Sequence, residues 1–113
     1  MYAMMLRFSF PPEKTTEAIS IIKSAAGPIR DDPDCHAFHF LREISNDDEL
    51  TLWEEWKTLE ALEQHIRSTE FLKILTAMDL ASPAPDISIQ TLSDRKGFEF
   101  IKTLREHVGS PSS

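Results

Sequence analysis

Apolar positions divide the chain into four strands and several helices. Alternation predicts strands over residues 1–10, 35–43, 50–56 and 86–92. Apolar residues three and four apart predict helices over 12–26, 59–66, 69–78 and 94–108, with Ser68-Thr69 marking the start of the third. The order strand–helix–strand–strand–helix–strand predicts an α+β, ferredoxin-like βαββαβ fold with a four-stranded antiparallel sheet. We therefore expect one domain over 1–93, followed by a C-terminal helical extension over 94–113 whose last residues fray.

Helix and strand ends are marked by turn formers and capping residues. Gly27-Pro28 either stops or kinks the first helix, and Asp32-Pro33-Asp34 ends it. The polar run 45–48 predicts the turn of an antiparallel hairpin. Thr58 and Asp94 are suitable N-caps for the helices that follow them.

The sheet is expected to have one face that its own helices do not cover. The first three strands carry apolar or aromatic side chains on both faces. A large apolar face is rarely left in water, so we predict a homodimer that packs sheet on sheet. The final helix either exchanges onto the partner or covers an edge strand.

Composition and charge restrict the classes of partner and the compartment. The net charge is -7, which disfavours nucleic acid and anionic membrane as partners. No run approaches the roughly 18 apolar residues of a membrane span, and the first residues lack the pattern of a signal peptide. The single cysteine cannot form an internal disulfide, which fits a cytoplasmic protein.

The stretch 50–71 concentrates the side chains that are capable of chemistry. Trp53 and Trp56 are three residues apart, so they lie on opposite faces of the predicted strand. One packs under the helices, and the other faces the partner on the uncovered side of the sheet. Glu54 shares the face of Trp56; if that face is inward, Glu54 needs a partner such as Arg7 or Arg42. If it is outward, Glu54 is a solvated charge.

Two histidines are candidates for a site. His65 lies on a predicted helix and either acts as a general base or ties the helix to a strand. His39 either lines a pocket or stays partly exposed. His36 and His39 point to opposite faces of a strand and cannot chelate one ion, so no metal site is predicted. Cys35 and His39 share a face but lie about 13 Å apart, too far for a nucleophile and its base.

Several residues of this stretch resemble the antibiotic biosynthesis monooxygenase family. The resemblance rests on Trp56 and on His65 nine residues later, with Glu54, Ser68 and Phe71 around them, and it covers about residues 1–93. The turn Asp32-Pro33-Asp34-Cys35 is similar to one in the quinol-monooxygenase branch. The resemblance implies a dimeric α+β barrel and oxygenation of hydroquinone-like substrates without metal or flavin.

The chain departs from two other branches of that family. Haem-degrading members have an iron-ligating His nineteen residues after the Trp, where this chain has Leu75, and a second Trp where His65 stands. Polyketide oxygenases have an Asn four residues before the Trp, where this chain has Leu52. Haem degradation and polyketide oxygenation are therefore not expected.

These observations support three hypotheses about function. The first is a cofactor-independent monooxygenase of a quinol-like or flat aromatic compound, with His65 and Trp56 as catalytic residues. The substrate would then contact His39, Trp53, Glu54 and Phe71. The second is an isomerase of a small hydroxyketone on the same scaffold. The third is a non-catalytic ligand-binding or stress-related dimer.

Overall fold

The described part of the chain, residues 1–107, forms four strands and four helices in a computed structural model. In chain order they are β1 (Tyr2–Ser9), α1 (Pro12–Arg30), β2 (Cys35–Glu43), β3 (Asn46–Trp56), α2 (Leu59–Ile66), α3 (Thr69–Met78), β4 (Asp86–Thr91) and α4 (Phe98–His107). The strands form one antiparallel sheet in the order β2-β3-β1-β4. The predicted ferredoxin-like α+β fold is confirmed.

One face of the sheet carries the helices and the hydrophobic core. Alternation along β1 turns Met4, Leu6 and Phe8 to this face, and along β3 it turns Leu50 and Leu52 there. The same face receives buried residues from three helices, namely Ala18, Ile22, Ala25 and Ile29 of α1, Ala61 and Leu62 of α2, and Phe71, Ile74 and Ala77 of α3. The core therefore lies between the sheet and the helical layer.

Among the described residues 1–107, no helix lies over the opposite face. It presents Met5 and Arg7 from β1, Thr51 and Trp53 from β3, and His39 from β2. This open face mixes polar and aromatic side chains, so it is less apolar than the alternation predicts.

Helix α1 continues through Pro28 to Arg30. A proline inside a helix leaves the carbonyl four residues earlier without its usual donor. Here that carbonyl belongs to Ser24, and Lys73 Nζ of α3 lies 3.5 Å from it. A contact between helices thus replaces the lost backbone bond, and Gly27-Pro28 does not stop the helix.

The hairpin turn is shorter than predicted because β3 begins at Asn46. Asp48 belongs to the strand: its carbonyl accepts from Phe10 N at 2.9 Å, and its Oδ1 accepts from Thr15 Oγ1 at 2.6 Å. These tertiary bonds hold a polar segment in strand conformation, so the prediction of a turn over 45–48 is wrong for its last three residues.

A bulge in β2 changes which face Cys35 occupies. Cys35 pairs with Trp56, whereas Ala37 pairs with Glu55, so His36 is the inserted residue. Cys35 consequently packs against the core, while Ala37 and His39 lie on the open face. The prediction that Cys35 and His39 share a face is wrong, because an inserted residue reverses the alternation.

The end of the described chain also differs from the prediction. α4 begins at Phe98, four residues after Asp94, whose carboxylate instead lies 3.1 Å from Lys96 Nζ. The predicted cap at Asp94 is therefore wrong. The expected last turn at Val108 and the fraying of 109–113 lie outside the described residues. Within residues 1–107, no helix has both the length and the apolar character needed to cross a bilayer.

Candidate active site

Four of the proposed site residues meet where β3 enters the helical layer. Glu54 and Trp56 are two residues apart on β3, so both face the helices. Thr58 caps α2 by accepting from Ala61 N at 3.1 Å, and the helix then turns His65 toward the sheet. Phe71 reaches the same place from α3. We call these four residues, Glu54, Trp56, His65 and Phe71, the buried cluster.

The His65 ring is held between two aromatic rings. Its centroid lies 4.4 Å from that of Trp56 with an interplanar angle of 24°, which is a stacked arrangement. Phe71 meets the imidazole edge-on at 5.3 Å. Ser68 holds the corner between α2 and α3, since its Oγ donates to the His65 carbonyl at 2.6 Å and accepts from Phe71 N at 3.2 Å. The imidazole therefore has a defined position and orientation.

Glu54 links the two ring systems through one carboxylate oxygen. Its Oε1 accepts from Trp56 Nε1 at 2.9 Å and lies 2.7 Å from His65 Nε2. Its Oε2 is buried and has no hydrogen-bond partner among residues 1–107. Glu54 is thus inward-facing, and the prediction of Arg7 or Arg42 as its partner is wrong. Arg7 lies on the open face, and Arg42 pairs with Leu50 rather than with Glu54.

The cluster also affects the nearby thiol. Burial, with a smaller contribution from the Glu54 charge, raises the pKa of Cys35 to about 11. The thiol is therefore protonated at neutral pH and is a poor nucleophile. Among residues 1–107, no group of three or more His, Cys, Asp or Glu side chains is placed to hold a metal ion.

The other two proposed contacts lie across the sheet from the buried cluster. His39 pairs with Trp53 on the open face. Trp53 Nε1 donates to Glu55 Oε2 at 2.8 Å. Alternation alone does not decide which tryptophan faces the helices; burial shows that it is Trp56, which is 1% exposed and belongs to the core. His39 and Trp53 cannot contact the same ligand as His65 within one chain, because the sheet separates them.

The buried cluster is closed to solvent. His65 is 5% exposed and Glu54 is 0% exposed. A pocket of about 520 Å³ lies elsewhere, lined by residues that include Arg7, Arg42 and Leu50. Another of about 370 Å³ lies along β2 beside His36 and Phe38. Neither pocket is lined by a residue of the buried cluster, and the rings of Trp56 and Phe71 contact the imidazole directly.

The geometry of the cluster is that of an oriented base. A carboxylate beside an imidazole fixes the orientation of the ring, as in other acid–base pairs. The surrounding apolar rings exclude water. The contact between Glu54 and His65 was not predicted from the sequence. Alternation placed Glu54 on the face of Trp56, and that face is the inward one.

Comparison with protein families finds one match, over residues 1–77, to the family described as antibiotic biosynthesis monooxygenase. A conserved protein from Methanosarcina mazei has a similar solved structure, with 27% identity, a TM-score of 0.76, and coverage of 81% of this chain and 92% of that one. Rv0793 from Mycobacterium tuberculosis has 18% identity and a TM-score of 0.77, over 85% and 98% of the two chains.

A candidate antibiotic biosynthesis monooxygenase from Deinococcus radiodurans has 15% identity and a TM-score of 0.77, over 87% and 98% of the two chains. At identities below 25%, the second and third likenesses concern the fold alone. A search of curated proteins finds no significant match.

Proposed function

This chain belongs to the antibiotic biosynthesis monooxygenase family, and from that premise we propose that it oxygenates a small quinol-like or other flat aromatic compound without a cofactor. The observation that carries the proposal is the position of His65. Its ring stacks on Trp56, and its Nε2 lies 2.7 Å from the buried carboxylate of Glu54. A base held in this way among aromatic rings suits proton removal from a phenol.

In the proposed reaction, neutral His65 takes the phenolic proton and Glu54 stabilises the imidazolium that forms. The resulting phenolate is electron-rich and reacts with oxygen. For a hydroquinone, one oxygen atom enters the product, which is a hydroxyquinone, and the other leaves as water. Hydroquinone and O₂ supply all the atoms and electrons of these products, so no external reductant is needed. Trp56 would act as the platform for the substrate ring, and Phe71 as the facing wall.

Substrate access requires the buried cluster to open. The closed cluster leaves no room for a second ring beside His65, so a ring must enter where Phe71 now lies. Phe71 follows directly on the α2–α3 corner at Ser68. We propose that movement of this corner withdraws Phe71 and exposes the Trp56 face.

We also propose a homodimer and a cytoplasmic location. Within the part of the chain that the structure describes, no helix covers the open face, which carries Trp53 and Met5; this supports packing of two sheets face to face. In such a dimer His39 and Trp53 would line the space between the sheets. The single cysteine cannot form an internal disulfide, which suits a reducing compartment.

Oxygen uptake with a panel of hydroquinones tests the proposal. Wild type and His36→Ala, which alters an exposed histidine outside the cluster, should consume oxygen at similar rates. His65→Ala should lower kcat by about 100-fold or more, the usual contribution of a general base. Glu54→Gln should retain the Trp56 contact and lose most of the rate. Absence of substrate-dependent uptake by folded wild type across the panel would refute the proposal.

A second candidate is a non-catalytic dimer, which the closure of the cluster favours. Side chains of the protein fill the space that a substrate would need, and His65 would then serve as a structural link between α2 and β3. This candidate predicts no turnover, and it predicts that His65→Ala lowers stability. The third hypothesis, an isomerase, would be favoured by substrate turnover under anaerobic conditions.

A further inference from the structure

The pocket of about 520 Å³ lies on the open face, across the sheet from the buried cluster. Its floor is formed by Arg7 of β1 with its neighbours Thr51 on β3 and Asp86 on β4. Its volume is in the range of roughly 300–1,000 Å³ that is usual for small-molecule sites. Neither Met5 nor Trp53 lines it, so the pocket is separate from the side chains that support the proposed contact between two sheets.

Both walls of the pocket are fastened to the end of β1. They consist of residues 83–84, in the connector before β4, and residues 41–44, at the tip of the β2–β3 hairpin. Ser82 N donates to the carbonyl of Ser9 at 2.8 Å and holds the connector. Phe10 N donates to the carbonyl of Asp48 at 2.9 Å and holds the hairpin. The fold therefore preforms the cavity, which lowers the cost of ordering it around a ligand.

Two arginines of the pocket have donors to offer a ligand. Arg7 and Arg42 line it, and within residues 1–107 neither guanidinium group forms an ion pair or a hydrogen bond. This holds for Arg7 although Asp86 is its direct neighbour across the β1–β4 ladder. A guanidinium group carries five N–H donors in a planar fork that matches the two oxygens of a carboxylate. Arg7, on the floor of the pocket, is therefore placed to bind a ligand carboxylate.

Carboxylates of the same pocket determine the rest of the ligand's charge. Glu43, Glu49 and Asp86 line the pocket beside the two arginines. A phosphate or another dianion would face three negative charges, whereas a simple cation would leave the guanidinium groups without a partner. A ligand with one carboxylate and one ammonium group complements both signs. The charges therefore favour a zwitterion.

Exposed apolar side chains at the hairpin tip indicate what the ligand carries besides its charges. Leu41 is 53% exposed and Ile44 is 99% exposed, and both line the pocket. An apolar group that covers these two side chains is stabilised because both surfaces are removed from water. The ligand is therefore expected to have an apolar side chain next to its charged groups.

We propose that this pocket binds an α-amino acid with an apolar side chain. The carboxylate of the amino acid binds Arg7, and its ammonium group lies beside Asp86 and Glu49. Its side chain packs against Leu41 and Ile44. The proposal does not rest on the proposed reaction, because the pocket shares no residue with the buried cluster.

Calorimetric titration of the full chain with L-leucine and three analogues tests the ligand class. L-Leucine should bind with a Kd of about 1 mM or lower. Isocaproate, isoamylamine and glycine lack the ammonium group, the carboxylate and the apolar side chain, respectively, and each should bind at least about tenfold more weakly. Absence of binding by L-leucine at about 10 mM would overturn the proposal. Equal binding of isocaproate would overturn it too, since it would show a simple anion site.

Substitutions on the pocket floor test the two charged contacts. Arg7→Gln and Asp86→Asn each remove the charge of an exposed side chain and should raise the Kd for L-leucine by about tenfold or more. Arg67→Gln alters an exposed arginine that does not line the pocket, and it should change the Kd by less than about threefold because salt screens exposed charges. Equal Kd values for Arg7→Gln and Arg67→Gln would contradict the proposed site.

Amide chemical shifts in NMR spectra show where the amino acid binds. L-Leucine should shift the signals of Thr51 and Ala84, which line the pocket, and leave those of Ala61 and His65 unchanged. Shifts confined to Ala61 and His65 would place the ligand in the buried cluster and would overturn the proposal. Neither measurement involves oxygen uptake, so the outcome for this pocket is independent of the proposed reaction.

Discussion

Removal of the Glu54 carboxylate tests the physical description of the buried cluster. Glu54→Leu replaces the carboxylate with an apolar side chain of similar size, at a position that is 0% exposed. It removes the acceptor of Trp56 Nε1 and the oxygen that lies 2.7 Å from His65 Nε2. Both nitrogen atoms lie in surroundings that water does not reach, so neither finds a replacement partner.

The expected loss of stability follows from these two contacts. A buried donor left without an acceptor costs about 1–3 kcal/mol, and a hydrogen bond to a charged group contributes about 1.5–3 kcal/mol. The loss of both contacts therefore amounts to about 3–6 kcal/mol. We expect Glu54→Leu to lower the free energy of unfolding by about that amount. Glu60→Leu alters an exposed carboxylate in the first turn of α2 and should change it by less than about 1 kcal/mol, the usual contribution of a carboxylate at a helix N-terminus.

Urea denaturation of a double-mutant cycle measures the link between Glu54 and His65. Glu54→Leu, His65→Leu and the double variant are unfolded at one fixed protein concentration, because the stability of a dimer depends on concentration. The decrease in the free energy of unfolding should be at least about 1 kcal/mol smaller in the double variant than the sum of the decreases in the two single variants. The reason is that the double variant leaves neither member of the pair without its partner. A coupling free energy near zero would refute the description of Glu54 and His65 as a buried interacting pair.

Three further predictions concern the thiol, a helix cap and the open face. The pKa of Cys35 is raised from 9.0 to about 11, so its thiolate fraction at pH 8 falls about 100-fold. Iodoacetamide reacts with the thiolate and should therefore alkylate the folded protein about 100-fold more slowly than the urea-unfolded chain. The folded rate should rise with pH up to about 11, and a folded rate that levels off near pH 9 would contradict the shift. Thr58→Ala removes the acceptor of Ala61 N and should cost about 1 kcal/mol in thermal unfolding, whereas Thr58→Ser should cost little. Trp53→Ala should raise the Kd of an open-face dimer by about tenfold or more in light scattering, and an unchanged Kd would exclude that face from the interface.

The fold was predictable because its strands alternate cleanly wherever one face is fully buried. Met4, Leu6 and Phe8 specify the inner face of β1 without help from the rest of the chain. The errors occur where a distant contact overrides a local preference. Asp48 is held in β3 by Thr15, and the helix passes Pro28 where Lys73 approaches the free carbonyl. No local pattern contains that information.

The site was predictable only in part for a similar reason. The spacing of Trp56 and His65 brought out two residues that do contact each other. The distance from Glu54 to His65 depends on how α2 packs on β3, and that packing cannot be predicted from the spacing of residues in the sequence. The separation of His39 from His65 follows from the sheet, since the two lie on opposite sides of it. Alternation could have separated them had the inward face been known.

The stacking of Trp56 on His65 also gives the protein an optical signal of its own. A protonated imidazole in contact with an indole ring accepts an electron from its excited state and quenches its emission. The other tryptophan, Trp53, lies on the opposite side of the sheet, beside Glu55 rather than His65. Emission from Trp56 thus reports the charge of His65, and Trp53 supplies an internal reference within the same molecule.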